Sequence, residues 1–265
     1  MGRRLTSVLG RISNYSPGRS TLRRFPVWID VQSRNARFRY FSPPNDDLRL
    51  RALASFEGWE DRGRDLLSQA SRNAEVIVDV GAYTGVYSLT AAACNREIEV
   101  FAVEPSETAA RAIEKSARAN GFSRISVIRA VASRDSDSEM ILLGNRDRGT
   151  STHSVEPGFH AGPVEAVGRA RSIRLDSLRL KRVDFLKIDV EGHELAVLEG
   201  ASNILARFVP VILVECLDGD ALSSVAAFAR LFGYRSPVLV DEAKRNFLFL
   251  PDSGRWSQWR PSIGL

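Results

Sequence analysis

Sulfur and imidazole are scarce in this chain, with two cysteines, two methionines and three histidines in 265 residues. Cys94 and Cys216 form no C-x-x-C pair and fall far apart in segments that read as buried, so neither a disulfide framework nor a thiolate zinc site is encoded. No apolar run approaches the roughly 18 residues of a membrane-spanning helix, and no secretory apolar core opens the chain. The expected setting is reducing and cytoplasmic. Also missing are a G-x-x-x-x-G-K-[ST] phosphate loop and any evident Ser-His-Asp arrangement.

Positive charge is present but unevenly spread. Residues 1–40 hold nine arginines against the single acid Asp30, a local charge of +8, while the other 28 basic and 31 acidic residues sum to −3. A slightly acidic body argues against a nucleic-acid channel, which needs a basic surface around its site. Within the basic start, Leu5, Val8, Leu9 and Ile12 recur at i, i+3, i+4 and i+7. That spacing fits either a helix packed on the body or a basic amphipathic helix on an anionic membrane surface. Met1 to Thr6 also matches a myristoylation pattern, and an arginine-rich, acid-poor start resembles a transit peptide.

The chain divides by composition into a basic extension (1–37), a cap segment (38–75), a main domain (76–250) with an insert at 133–182, and a tail (251–265). In the cap segment, Leu48, Leu50, Leu53 and Phe56 follow Pro43 to Asp47 with helical spacing, and Asp46 or Asp47 can cap that helix. Trp59 reads as a core anchor or as part of a substrate mouth. From Val76 onward, apolar β-branched runs alternate with helical stretches, which predicts a parallel sheet with helices on both faces. The expected α/β fold is a doubly wound, mostly parallel sheet of order 3-2-1-4-5-7-6, its last strand antiparallel. One helix is expected over Leu195 to Ala206, and the insert is expected to carry strands at Glu139 to Leu143 and Ala170 to Leu175 and to lie over the strand tips.

The first buried run ends in Asp79-Val80-Gly81-Ala82-Tyr83-Thr84-Gly85, and a later run ends in Glu104-Pro105. Glycines at such a turn let the backbone approach a ligand, and an acid at the second strand's tip can accept hydrogen bonds from both ribose hydroxyls of an adenosine. A dinucleotide fingerprint needs glycine where Tyr83 and Val86 stand, so an NAD site loses two of its three glycines. Asp-x-Gly-x-x-x-Gly instead suits S-adenosylmethionine, which has no phosphate and offers an ammonium and a sulfonium to Asp79.

These motifs, followed by Leu175 to Leu178, the block Lys187 to Gly200 (KIDVEGHELAVLEG) and Val211 to Glu215, resemble the FkbM family of S-adenosylmethionine-dependent methyltransferases. The resemblance runs from about Phe38 to Leu250, although His193 stands where the family more often has a small residue. It implies a class I methyltransferase-like Rossmann fold and methylation of hydroxyl groups on sugars, polyketides and related secondary or surface metabolites. The cofactor-binding set is then Asp79, Gly81, Ala82, Tyr83, Thr84, Gly85, Glu104 and Pro105, with Ala130 and Val131 at the end of the third strand.

Ligands in open α/β sheets bind beyond the carboxyl ends of the strands, where Asp79, Asp189 and Glu215 end neighbouring strands. Lys187, two positions before Asp189 on a buried strand, needs one of these acids as a partner; the pairing is either structural or part of the chemistry. Asp189 is the leading candidate base for removing a hydroxyl proton, followed by Glu191, Glu194 and, on the insert, His153. Acids in the first turn after Gly192 can instead offset the helix dipole, and a lone loop histidine can be merely solvated. Asp189, Glu191, His193 and Glu194 suit Mg²⁺ or Mn²⁺ by type, but their spacing crosses from strand to helix, so no metal is expected. Two rivals remain. A non-catalytic module would lack an acid beside the methyl group; a nucleic-acid methyltransferase is expected to show a [DN]PP[YF] loop where this chain has Asp189-Val190-Glu191-Gly192.

Overall fold

Alternating arginines and aromatics build the first structured element. In a computed structural model describing residues 25–34, 36–144, 153–156, 164–242, 245–259 and 261, strands β1 (Val27–Gln32) and β2 (Arg37–Ser42) pair as an antiparallel hairpin. Phe38 and Tyr40 turn inward while Arg37 and Arg39 face out, the period-two pattern of a half-buried strand. The expected boundary at 37 therefore falls inside a strand, because charge marks the hairpin's outer face and not a separate segment. The amphipathic spacing at Leu5 to Ile12, the myristoylation pattern and the transit-like start lie outside the described residues.

Helices α1 (Arg49–Leu53) and α2 (Asp61–Ser71) follow. Asp46 caps α1 less directly than expected: the N-cap is Leu48, whose N–H donates to Asp46 Oδ1 at 3.0 Å. Its carboxylate also accepts from the hydroxyls of Tyr40 (2.9 Å) and Tyr83 (3.2 Å), tying the cap segment to the glycine turn.

The chain then alternates through β3 (Val76–Val80), α3 (Val86–Cys94), β4 (Glu99–Val103), α4 (Glu107–Asn120) and β5 (Ile125–Ile128). Ser106 caps α4 and Gly121, at φ +66°, ends it. Strand β6 (Val131–Ala132), just before the insert, joins the insert's β7 (Glu139–Gly144) and β8 (Glu165–Ile173) in a separate three-stranded sheet of order β6-β8-β7. After it come β9 (Phe185–Ile188), α5 (Glu194–Glu199), α6 (Ser202–Phe208), β10 (Val211–Glu215), α7 (Gly219–Arg230), β11 (Val238–Asp241) and β12 (Asn246–Phe249). The main sheet has seven strands in the order β11-β12-β10-β9-β3-β4-β5, parallel from β10 to β5, with β12 antiparallel to both neighbours. This is the expected doubly wound order. Every residue of β3, β9 and β10 is buried, as strands covered on both faces must be.

The single helix expected over Leu195 to Ala206 is instead two. A Cβ at Gly200 would lie 2.0 Å from the Ser133 carbonyl oxygen, so the chain passes there as bare backbone and the helix breaks. Asp176, in the 3₁₀ turn Leu175–Leu178, restarts it by accepting the N–H groups of Asn203 and Ile204, each at 3.0 Å. The tail is not separate either. Trp256 is buried, and its Nε1–H donates to Asp184 Oδ1 at 3.2 Å, at the sheet's amino end.

Gly200→Ala is expected to destabilise by about 1–3 kcal/mol through overpacking, and Asp176→Ala by about 1 kcal/mol through lost capping. Gly219→Ala, where an added Cβ meets nothing within 4 Å, serves as the control and should be neutral or stabilising. Urea unfolding measures all three; a Gly200→Ala protein as stable as the Gly219→Ala protein contradicts the close approach.

Candidate active site

Strands β3 and β9 can meet closely at their carboxyl ends because Gly81 carries no side chain. Its φ is +72°, and a Cβ there would sit 1.7 Å from the Asp189 carbonyl oxygen. Gly85, at φ +87°, starts α3 and presses against Ile113 of α4, where a Cβ would come within 2.9 Å.

Glu104, at the tip of β4, accepts the N–H groups of Tyr83 and Ser106, one on each carboxylate oxygen and each at 2.7 Å. Burial pushes its carboxyl up to about 7 despite those two bonds. Asp79 accepts from the Ser88 N–H (3.0 Å) and hydroxyl (2.6 Å) at the start of α3; burial pushes it up to about 6, with Ser88 and Lys187 opposing. Both folded-state values lie above the ordinary carboxylate range near 4, so the folded protein holds protons that the unfolded chain has released. Ionising these groups therefore erodes stability as pH rises from about 4 to 7, and a cationic ligand nearby offsets that loss.

Two adjoining cavities open over these tips. Glu104, Pro105, Ala130 and Val131 line the first, together with His153 and Val155 of the insert. Trp59, Glu60, Asp79, Tyr87, Lys187 and Glu215 line the second. Gly81, Tyr83, Asp189 and Glu191 line both, and they mark the junction. The insert reaches the first cavity as expected: the Ser154 hydroxyl donates to the Glu191 carbonyl at 2.6 Å, holding residues 153–156 against the loop after β9.

Lys187 is 1% exposed, its Nζ 3.3 Å from Asp189 Oδ2 and 5.2 Å from the centroid of the Tyr87 ring. Burial alone lowers its pKa, yet Asp189, Glu60, Glu215 and Asp79 together raise it. The expected pairing of Lys187 is thus present, with Asp189 as the close partner. Glu60 was not singled out from sequence. It sits at φ +48° before α2, is 3% exposed, and accepts the Tyr87 hydroxyl at 2.7 Å on Oε2. Nothing in the string Gly58-Trp59-Glu60 signals this, because its partner is on another helix. Trp59 is a core anchor, buried against Phe56, and it also lines the second cavity.

Other expected residues lie elsewhere. Thr84 is fully buried and hydrogen-bonded to the Tyr40 hydroxyl at 2.5 Å, outside both cavities; Ala82 lines the second. Glu194 is off the cleft: its Oε1 accepts the Gly192 N–H at 2.8 Å at the start of its own helix, and burial raises its pKa. His193 lines the first cavity but turns Nδ1 to Glu156 (2.6 Å) and Nε2 to Ser133 (3.0 Å). Asp189, His193 and Glu194 thus diverge to separate partners. Among the described residues, no group of three or more His, Cys, Asp or Glu side chains could hold a metal ion.

The sheet order, the glycine turn and an acid at each of two strand tips define a class I methyltransferase domain, whose donor set fits the ribose hydroxyls and cationic centres of S-adenosylmethionine. The Methyltransferase FkbM domain matches residues 79–236, and the chain belongs to this family, with S-adenosylmethionine as its cofactor. Over 225 residues it is 31% identical to the hexuronic acid methyltransferase AglP of Haloferax volcanii, a match covering 78% of this chain and 82% of that one. It is similar in structure to methyltransferase FkbM from Methylobacillus flagellatus KT, with a TM-score of 0.49 and 17% identity over 66% of this chain. That match takes in 43% of the other chain, so this protein spans under half of that length. Aeropyrum pernix fibrillarin, solved with natively bound S-adenosyl-L-methionine, is similar with a TM-score of 0.45 and 12% identity over 71% of each chain.

If Glu104 receives the ribose hydroxyls as a carboxylate, S-adenosylmethionine affinity should weaken as pH falls below about 7, by up to tenfold per unit. Glu104→Gln should remove that dependence and weaken binding at pH 8 by about 1–3 kcal/mol. Calorimetry across pH measures both; a variant that binds like the parent at pH 8 contradicts the assignment.

Proposed function

We propose that this protein transfers a methyl group from S-adenosylmethionine to a hydroxyl oxygen of a sugar or related surface or secondary metabolite. The observation that carries the reading is the position of Asp189, the one aspartate among the described residues that lines both cavities, partly exposed at their junction. The cofactor supplies a methyl carbon already activated by its sulfonium. What remains for the chain is to hold an acceptor oxygen in line and take its proton.

In this reading the first cavity takes the adenosine, Glu104 accepting the ribose hydroxyls and Ala130 and Val131 lying against the base. Gly81, Ala82 and Tyr83 present backbone to the methionine part, with Asp79 beside its ammonium. The second cavity takes the methionine end at Ala82 and Asp79 and the acceptor on the side of Trp59, Glu60 and Glu215. Asp189 is the base, its carboxylate held in place by the buried Lys187 ammonium 3.3 Å away. Glu191, lining both cavities, is the alternative base, and His153 lines only the adenosine side. A sugar acceptor is supported by the relative that acts on a hexuronic acid. The acidic lining of the second cavity disfavours a nucleic-acid acceptor, whose phosphates need cations. A reducing, cytoplasmic setting belongs to the same proposal, supported by Cys94 and Cys216 being free thiols.

Incubation with S-adenosylmethionine and hydroxylated glycosides should add the mass of one methyl group to the acceptor. Asp189→Asn should lower turnover by roughly 10²–10⁴ while cofactor affinity changes little. Near-normal turnover in that variant moves the base to Glu191. A chelator should leave the rate unchanged; loss of activity restored by Mg²⁺ contradicts direct proton removal without a metal.

A further inference from the structure

The acceptor side of the cleft is built partly by the cap segment, which lies outside the span matched by the family domain. Trp59 and Glu60 reach the second cavity from the amino side of α2. Glu215, which ends β10 and is 6% exposed, lines the same cavity, and Lys187 feels the charge of both Glu60 and Glu215. Glu60 is anchored by the Tyr87 hydroxyl, and Tyr87 itself stands on α3, the helix that follows the glycine turn. The carboxylate is thus fixed relative to the cofactor loop by a buried hydrogen bond.

The charge balance of this cavity is one-sided. Glu60, Asp79, Asp189, Glu191 and Glu215 line it, and Lys187 is the one cation among the described lining residues. Among the described lining residues no arginine is there to receive a carboxylate or phosphate in the bidentate manner such groups favour. A bound sulfonium and ammonium offset part of the negative charge, with the cofactor's own carboxylate opposing them. A second carboxylate, brought in by the acceptor, meets like charge at close range in a poorly solvated space. Hydroxyl groups meet the opposite condition. Ionised carboxylates are acceptors only, and they suit the O–H donors that line an uncharged sugar ring.

From this geometry we propose that Glu60, with Glu215, sets acceptor specificity, selecting an uncharged sugar ring and rejecting one that carries a carboxylate beside the reacting hydroxyl. The proposal rests on the sugar-methyltransferase reading above and narrows it. It sets this chain apart from its hexuronic acid methyltransferase relative. Glu60 acts by binding and orienting the acceptor hydroxyls; removal of the reacting proton stays with Asp189. The reaction is otherwise unchanged: the acceptor oxygen bonds to the methyl carbon, the carbon–sulfur bond breaks with its electron pair going to sulfur, and the hydroxyl proton passes to the base.

The test compares methyl glucoside with methyl glucuronide as acceptors for the full chain, with methyl transfer followed by mass. The parent protein should show a kcat/KM at least tenfold higher for the glucoside. Glu60→Gln should reduce that ratio at least threefold, mainly through KM, with cofactor affinity and melting temperature reported alongside. Glu215→Gln should act in the same direction and serves if Glu60→Gln does not fold. Preference of the parent for the glucuronide overturns this proposal and leaves the sugar reading standing. An unchanged ratio in both folded variants removes Glu60 and Glu215 from specificity. Methylation of neither glycoside by a protein that binds S-adenosylmethionine overturns the sugar reading and this proposal with it.

Discussion

The buried ammonium of Lys187, beside the Asp189 carboxylate, is the interaction on which the rest of the cleft depends. It lies in the middle of the sheet, on β9, paired in register with Asp79 on one side and Leu213 on the other. An ammonium 1% exposed is costly to bury alone, and removing its partners would leave that cost unmet. Four carboxylates from four separate parts of the chain therefore stabilise its charge, Asp189 by direct contact: Glu60 before α2, Asp79 on β3, Asp189 after β9 and Glu215 on β10. The same convergence that satisfies the charge assembles a cleft. Breaking such a pair is costly, because it leaves the other charge buried and uncompensated.

Around this centre the backbone does the remaining positioning. Gly81 lets the loop after β3 lie on the Asp189 carbonyl, and the junction between the two cavities forms at that contact. Asp46 and Tyr40 grip the glycine turn from the amino-terminal side, through Tyr83 and Thr84. Residues 153–156 hold the opposite side through Ser154 and the bond between Glu156 and His193. Two segments outside the parallel sheet thus flank the cleft, one toward the second cavity and one toward the first. A common methyltransferase frame can change its acceptor by changing such flanking segments while the strand tips stay as they are.

What could be read from sequence was what local pattern encodes. Val76 to Val80 and Val211 to Glu215 announce buried parallel strands because every position is apolar save one acid in the last two residues, and the sheet order follows from the alternation with helices. Asp79, Gly81 and Glu104 were legible for the same reason. The helix break at Gly200 was not, because its causes, the Ser133 carbonyl and the Asp176 carboxylate, come from other elements. Glu60 was hidden likewise by depending on Tyr87. The hairpin at 27–42 is encoded by the alternation of Arg37, Phe38, Arg39 and Tyr40, a pattern that overlaps the end of the arginine-rich start and is masked by its charge. Glu194 shows a local constraint that its residue type does not announce. Its type and position suited catalysis, yet the backbone N–H of Gly192 claims it.

A crystal structure with S-adenosylhomocysteine tests the central claim, that two cavities meet at Gly81 and Asp189 and divide cofactor from acceptor. The account predicts adenosine in the first cavity with its ribose on Glu104, sulfur at the junction, and an open path from sulfur to Glu60 and Glu215. Adenosine seated instead between Trp59 and Glu215, or a sulfur separated from Asp189 by protein, would contradict it.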